Sequence, residues 1–173
     1  MIDNDYVFEV NIEFDINEFE LIINNLKLSG LRAHQQKAED YEYTNQVYQK
    51  HHKVLGNIWN YYLLKPNTGF PIHIDARRTA ALNIPIYGST GSVTKFYEMP
   101  DEELIYNDRL IAYQFQNNVE EKFEFTLTKP SVIRVNVPHS VMAGNEHRLI
   151  ISWGLNTDLP NAKQYFNEYA LNC

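Results

Sequence analysis

Phe70-Pro71-Ile72-His73-Ile74-Asp75 is the stretch on which the reading of the fold turns. Phe70, Ile72 and Ile74 alternate with Pro71, His73 and Asp75, and alternation at period two marks a strand with one apolar face. Successive side chains of a strand point to opposite faces, so residues two apart share a face. An imidazole and a carboxylate therefore project side by side from this strand toward one point.

The same grammar continues outward. Upstream, Ile58-Trp59-Asn60-Tyr61-Tyr62-Leu63-Leu64 is a β-like run closed by the turn signal Lys65-Pro66-Asn67-Thr68-Gly69. Downstream, strands are predicted over 80–87, 93–98, 109–115, 121–127, 132–137 and 148–155. Between them lie a Gly88-Ser89-Thr90-Gly91-Ser92 turn, an acidic loop at 101–103, an Asn117-Asn118 turn and a Lys129-Pro130 break. Near the N-terminus, 7–14 alternates with apolar Phe8, Val10, Ile12 and Phe14. Asp15 or Asn17 can then cap a helix running to about Leu28, with Gly30 as its stop and Phe19, Ile22, Ile23 and Leu26 as its buried stripe. Residues 32–53 are polar and read as a surface segment with a short helix near 45–53, which puts His51 and His52 on a solvated face. A loop from Asp158 and a helix over 162–169 close the chain. About eight short strands between turn signals imply a mainly β protein, a jelly-roll, cupin-like barrel with flanking helices. Such a barrel has a pocket in its mouth.

Composition bounds the function. The chain has 173 residues, which suits one domain over 1–173 with a β core at about 57–155. Its net charge of −7 argues against nucleic acid or an anionic membrane as partner. Cys173 is the single cysteine, so no intrachain disulfide forms. The acidic start Met1-Ile2-Asp3-Asn4-Asp5 lacks the apolar run of a secretory signal, and no stretch is long enough to span a membrane. A cytoplasmic protein is expected.

One further imidazole beside His73 and Asp75 would complete a two-His-one-carboxylate face, the set that holds non-haem Fe(II) with positions left open. His139, in Pro138-His139-Ser140, is the natural third member, too far along the chain to be a local neighbour. Nine residues after it, Arg148 opens the apolar run Arg148-Leu149-Ile150-Ile151-Ser152-Trp153. A charged residue opening such a strand suggests that it faces a pocket; a rim salt bridge is the plain alternative. His-x-Asp alone is a weak signal, and the joint pattern is the restrictive one. Asn83, in Leu82-Asn83-Ile84, carries an amide that needs a partner, either a bound molecule or a neighbouring strand. Tyr62 is a further pocket candidate. Arg77 or Arg78 can face the site mouth toward an acidic substrate or simply lie in a solvated loop, and His147 falls on the strand face opposite Arg148.

The set His73-x-Asp75, distal His139 and Arg148 resembles the Fe(II)/2-oxoglutarate-dependent oxygenases over about residues 60–155. Ala81-Leu82-Asn83-Ile84-Pro85-Ile86 and Phe96-Tyr97-Glu98 look most like small aspartyl/asparaginyl-hydroxylase-like or prolyl-hydroxylase-like bacterial and phage members. The resemblance implies a double-stranded β-helix, with His73, Asp75 and His139 as metal ligands. It also implies Arg148 as the partner of the remote carboxylate of 2-oxoglutarate. Asn83, Ser152 and Tyr62 are further candidates for contact with the cosubstrate. Many members carry Arg-x-Ser, whereas here Ile150 follows Arg148 by two and the serine stands at 152. The implied reaction is a hydroxylation of an amino-acid side chain, a peptide or a small metabolite. Two other readings share the fold: a metal-binding cupin without 2-oxoglutarate chemistry, and a ligand-binding jelly roll with a vestigial site.

Overall fold

The computed structural model describes residues 2–25, 33–108, 111–115 and 119–171. Twelve strands and three helices are described, in the order β1 (Val7–Glu9), α1 (Ile16–Asn25), β2 (Ala33–Lys37), α2 (Glu42–His51), β3 (Leu55–Leu64), β4 (Gly69–Asp75), β5 (Ala80–Tyr87), β6 (Val93–Tyr97), β7 (Ile105–Asn107), β8 (Ala112–Gln114), β9 (Glu121–Phe125), β10 (Ser131–Arg134), β11 (His139–Met142), β12 (Arg148–Leu155) and α3 (Leu159–Leu171). They form two six-stranded antiparallel sheets, ordered β1-β10-β5-β12-β3-β2 and β7-β8-β4-β11-β6-β9. This is the mainly β, jelly-roll-like architecture, with one correction. The sheets remain two separate layers and do not close into a barrel.

The helices and the second sheet pack on different faces of the first. Toward the helices, Trp59, Tyr61, Leu82, Ile84, Leu149, Ile151 and Trp153 meet Phe19, Ile22 and Ile23 of α1, Val47 of α2, and Leu159, Ala162 and Phe166 of α3. Buried Trp153 donates its indole N–H to the Gly56 carbonyl at 2.6 Å, so the ring is buried without losing a hydrogen bond. Asp15 caps α1 through Oδ1, which accepts from the backbone of Asn17 and Glu18. Toward the other sheet, a smaller cluster joins Val7, Ala81, Ile133 and Ile150 to Phe96 and Phe125.

Several expectations are revised. Strand β1 ends at Glu9 rather than at 14, because its partner β10 begins at Ser131 and Pro130 before it has no N–H to extend the ladder. The polar run 33–37 is a strand, at the sheet edge beside β3, where an exposed side tolerates Gln and Lys. Strand β7 lies between the acidic loop 101–103 and the strand expected over 109–115, where no strand was expected. The strand expected over 109–115 is described over 112–114; Arg109, Leu110 and the Asn117-Asn118 turn lie outside the described residues, as do Leu26, Leu28 and Gly30. His51 is not on a solvated face: it is 2% exposed and packs against Tyr165, Phe166 and Tyr169 of α3. His52 is exposed.

Gly88 fixes how closely the chain leaving β5 passes the start of β12. It has φ +67°, and a Cβ there would stand 1.7 Å from the His147 carbonyl oxygen. Only glycine lets the chain run this close to the residue that precedes Arg148.

Candidate metal centre and adjoining cavity

Strands β4 and β11 lie side by side in antiparallel pairing, with His73 opposite His139. His139 is the first residue of its strand. The two rings stand 4.3 Å apart, centroid to centroid. The alternation of β4 puts Asp75 on the face of His73, with Asp75 Oδ1 3.5 Å from His73 Nε2. One ligand atom from each of His73, Asp75 and His139 lies within 4.8 Å of the other two. The end of β4 is tied across the sandwich: Asp75 N–H donates to the Val135 carbonyl, and Val135 N–H donates to Thr79.

Both imidazoles are held in one tautomer. His73 Nδ1–H donates to the Pro71 carbonyl at 2.8 Å, and His139 Nδ1–H donates to the Val137 carbonyl at 2.9 Å. A carbonyl only accepts, so each Nδ1 carries a proton, and Nε2 is the ring nitrogen left to serve as a metal ligand. Burial, aided by the neighbouring His73, pushes His139 down to about 4, so it is neutral at physiological pH. At Asp75, burial favours the neutral acid, but the Arg78 guanidinium, with smaller contributions from the neighbouring His73 and His139, outweighs it and holds the carboxyl well below its usual range. Arg78 Nε donates to Asp75 Oδ2 at 2.6 Å, and its Nη1 donates to Ser152 Oγ at 3.1 Å.

A cavity of about 100 Å³ opens beside this cluster. One water fills about 10–15 Å³ of such space, so there is room for a small organic acid. The wall includes Tyr62, Asn83, Arg148 and Ser152 together with His73, Asp75 and His139. The seven residues named from the sequence as metal ligands or candidate cosubstrate contacts therefore border one space. β12 explains two of them: Arg148 and Ser152, with Ile150 between them, face the cavity, while Leu149, Ile151 and Trp153 face the helices. Asn83 sits opposite Ser152 in the ladder.

The polar atoms of this wall are unevenly satisfied. Arg148 is 2% exposed, yet its Nε and Nη1 have no hydrogen-bond partner, and the same holds for Asn83 Oδ1. Burial pushes the guanidinium down to about 10, which still leaves it charged at neutral pH. A buried charge without a partner is costly, and this one faces the cavity.

Beyond Asp75 and Arg78 the cavity gives way to a second, larger groove of about 360 Å³, which also touches Tyr62. Arg77 lies on its wall, exposed, while Arg78 is turned inward onto Asp75. His147 is exposed. The Arg78 contact was not legible from the sequence, because two adjacent arginines in a turn give no sign of which one faces in.

No family model matches the chain, and no curated protein matches it. Solved structures do. A viral collagen prolyl hydroxylase from Paramecium Bursaria Chlorella virus-1, in its 2OG complex, aligns with TM-score 0.53 and 11% identity over 89% of this chain and 97% of that one. A prolyl-4-hydroxylase from Pseudomonas putida aligns with TM-score 0.51 and 12% identity over 86% of this chain and 90% of that one. A vicilin from Corylus avellana aligns with TM-score 0.42 and 9% identity over 72% of this chain; the chain spans 29% of the vicilin's length. At these identities the likeness is one of fold. Among the described residues, no helix is long and apolar enough to cross a membrane.

Proposed function

We propose that this protein is an Fe(II)/2-oxoglutarate-dependent oxygenase that hydroxylates an amino-acid side chain, within a peptide or free, or a small metabolite. The observation that carries the reading is Arg148, a buried guanidinium with unpartnered nitrogens facing the cavity that His73, Asp75 and His139 also border. A planar fork of donors on the wall of a cavity suits a carboxylate, which it can bind through two parallel hydrogen bonds. Two imidazoles and one carboxylate are the donor set of non-haem Fe(II) oxygenases, so the residues fit the metal. The prolyl hydroxylases that share the fold, one of them solved with 2OG, support the same reading.

In this account His73 Nε2, His139 Nε2 and Asp75 Oδ1 hold the metal. When bound, Fe(II) would supply the chemistry for hydroxylating a C–H bond, with dioxygen as the oxidant and 2-oxoglutarate as the two-electron co-reductant. Arg148 holds the remote carboxylate, and Asn83 Oδ1 accepts from a protonated group or an ordered water within the cavity. Ser152, engaged by Arg78, shapes the wall rather than binding the carboxylate directly. Leu64, Ile133, Val135, Val141 and Ile150 make the rest of the wall apolar and limit water. The substrate approaches through the larger groove, where Arg77 is placed to meet an acidic group.

Thermal unfolding with and without ligands tests the reading. 2-Oxoglutarate is expected to raise the melting temperature only when Fe(II), kept anaerobic, or Mn(II) is present. Stabilisation by the ion alone, with no added effect of 2-oxoglutarate, would favour a metal-binding cupin without that cosubstrate. Stabilisation by neither would leave a jelly roll with a vestigial site.

A further inference from the structure

Arg78 occupies the seam between cavity and groove and lies on the wall of both. Its Nε takes one oxygen of Asp75 at 2.6 Å, and its Nη1 is fixed on Ser152 Oγ in the facing sheet. Asp75 thereby has its two oxygens assigned to different tasks. Oδ2 is committed to Arg78, and Oδ1 is the atom on the His73 side. The arginine is itself anchored, because β12, which carries Ser152, is paired on both sides, with β5 and with β3.

From this geometry, and resting on the metal reading above, we infer that Arg78 is a positioning residue that confines Asp75 to one-oxygen ligation. A carboxylate with both oxygens free can grip a divalent ion with both, which fills one more position on the ion. With Oδ2 held by a guanidinium, Asp75 offers a single donor, and the ion keeps positions open for small ligands. Arg78 touches no ligand in this role; it acts through Asp75. Its charge also opposes a nearby cation, so removing it has two effects of opposite sign on metal affinity. Lysine separates them, because it keeps the charge and loses the fork.

The test uses Co(II), whose visible d–d bands change intensity with coordination number, titrated into metal-free wild type, Arg78→Lys and Arg78→Gln. Circular dichroism confirms the fold of each. Wild type is expected to bind Co(II), and His73→Ala to lose it. Arg78→Lys is expected to bind about tenfold more weakly, the lower range for loss of a group that orients a ligand. Both variants are expected to show weaker bands at saturation, as Asp75 supplies its second oxygen. Should Arg78→Gln not fold, Arg78→Lys carries the comparison. Ser152→Ala, which loosens Arg78 without removing it, is expected to shift the bands in the same direction by less. Wild-type affinity and bands in folded Arg78→Lys and in Ser152→Ala would overturn the inference while leaving the metal site standing. Absence of Co(II) binding by wild type would overturn both.

Discussion

The two faces of β12 divide the molecule. Leu149, Ile151 and Trp153 look toward the helices and lie in a layer of aromatic and aliphatic side chains. Arg148, Ile150 and Ser152 look toward the other sheet and line a cavity with buried polar atoms, two guanidinium nitrogens among them unpartnered. One strand, with one set of backbone hydrogen bonds, thus supports a face built to be filled by protein and a face left to be filled by something else. The difference shows where stability and function separate: groups that maximise burial sit on one side, and groups that cost stability sit on the other.

Truncation on the filled face should have the largest effect. Trp153→Ala is expected to cost about 3–5 kcal/mol, as for large aromatic side chains removed from a core. Urea unfolding measures it, and a loss below about 1 kcal/mol would mean that the helix layer is not the main support. Lowering pH should come next and act on both faces. His51, in the helix layer, and His139, at the candidate metal centre, are each lowered from 6.5 to about 4, chiefly by burial. The unfolded chain therefore binds more protons across that window. The stability from each neutral ring is complete above about pH 6.5 and is lost as pH falls toward 4. For His139 the loss is on the order of 3 kcal/mol. Unfolding of chelator-treated protein between pH 4 and 7 checks the slope. Mn(II) should steepen the share of His139 and leave that of His51, isolated by a His51→Phe variant, unchanged.

The cavity face should answer substitution with the opposite sign. Arg148→Met removes an unpartnered buried charge and is expected to leave the ligand-free protein roughly 1–2 kcal/mol more stable. A clear destabilisation would mean that the guanidinium is satisfied structurally, and the contrast between the faces would fall. The smallest effect is expected far from either face. Lys95, on the outer side of the second sheet, pairs with Glu121 and Glu124, and Lys95→Ala should lower stability only slightly, a loss that high salt reduces.

Much of this division was legible in the sequence. Period-two alternation marked β4 and β12 and assigned their faces, because a strand buried on both sides still alternates what it touches. The His73-x-Asp75 spacing needed only strand geometry. The partnership of His73 with His139 depended on a pairing between distant strands, which local pattern suggests only through a resemblance. What escaped the sequence had tertiary causes. Ala33–Lys37 is polar and is a strand only because β3 offers it an edge. His51 reads as a surface residue until α3, from the far end of the chain, covers it. Arg78 was one of two adjacent arginines, and the choice between them is made by Asp75 and Ser152 from two different sheets.

Binding of 2-oxoglutarate to the Mn(II)-loaded protein, by calorimetry on wild type and Arg148→Ala, tests the central claim most directly. Loss of a charge-assisted contact worth roughly 1.5–3 kcal/mol should weaken binding about tenfold to a hundredfold, with Mn(II) affinity unchanged and only partial recovery in Arg148→Lys. Equal affinity for 2-oxoglutarate in wild type and Arg148→Ala, with the metal site filled in both, would contradict the account.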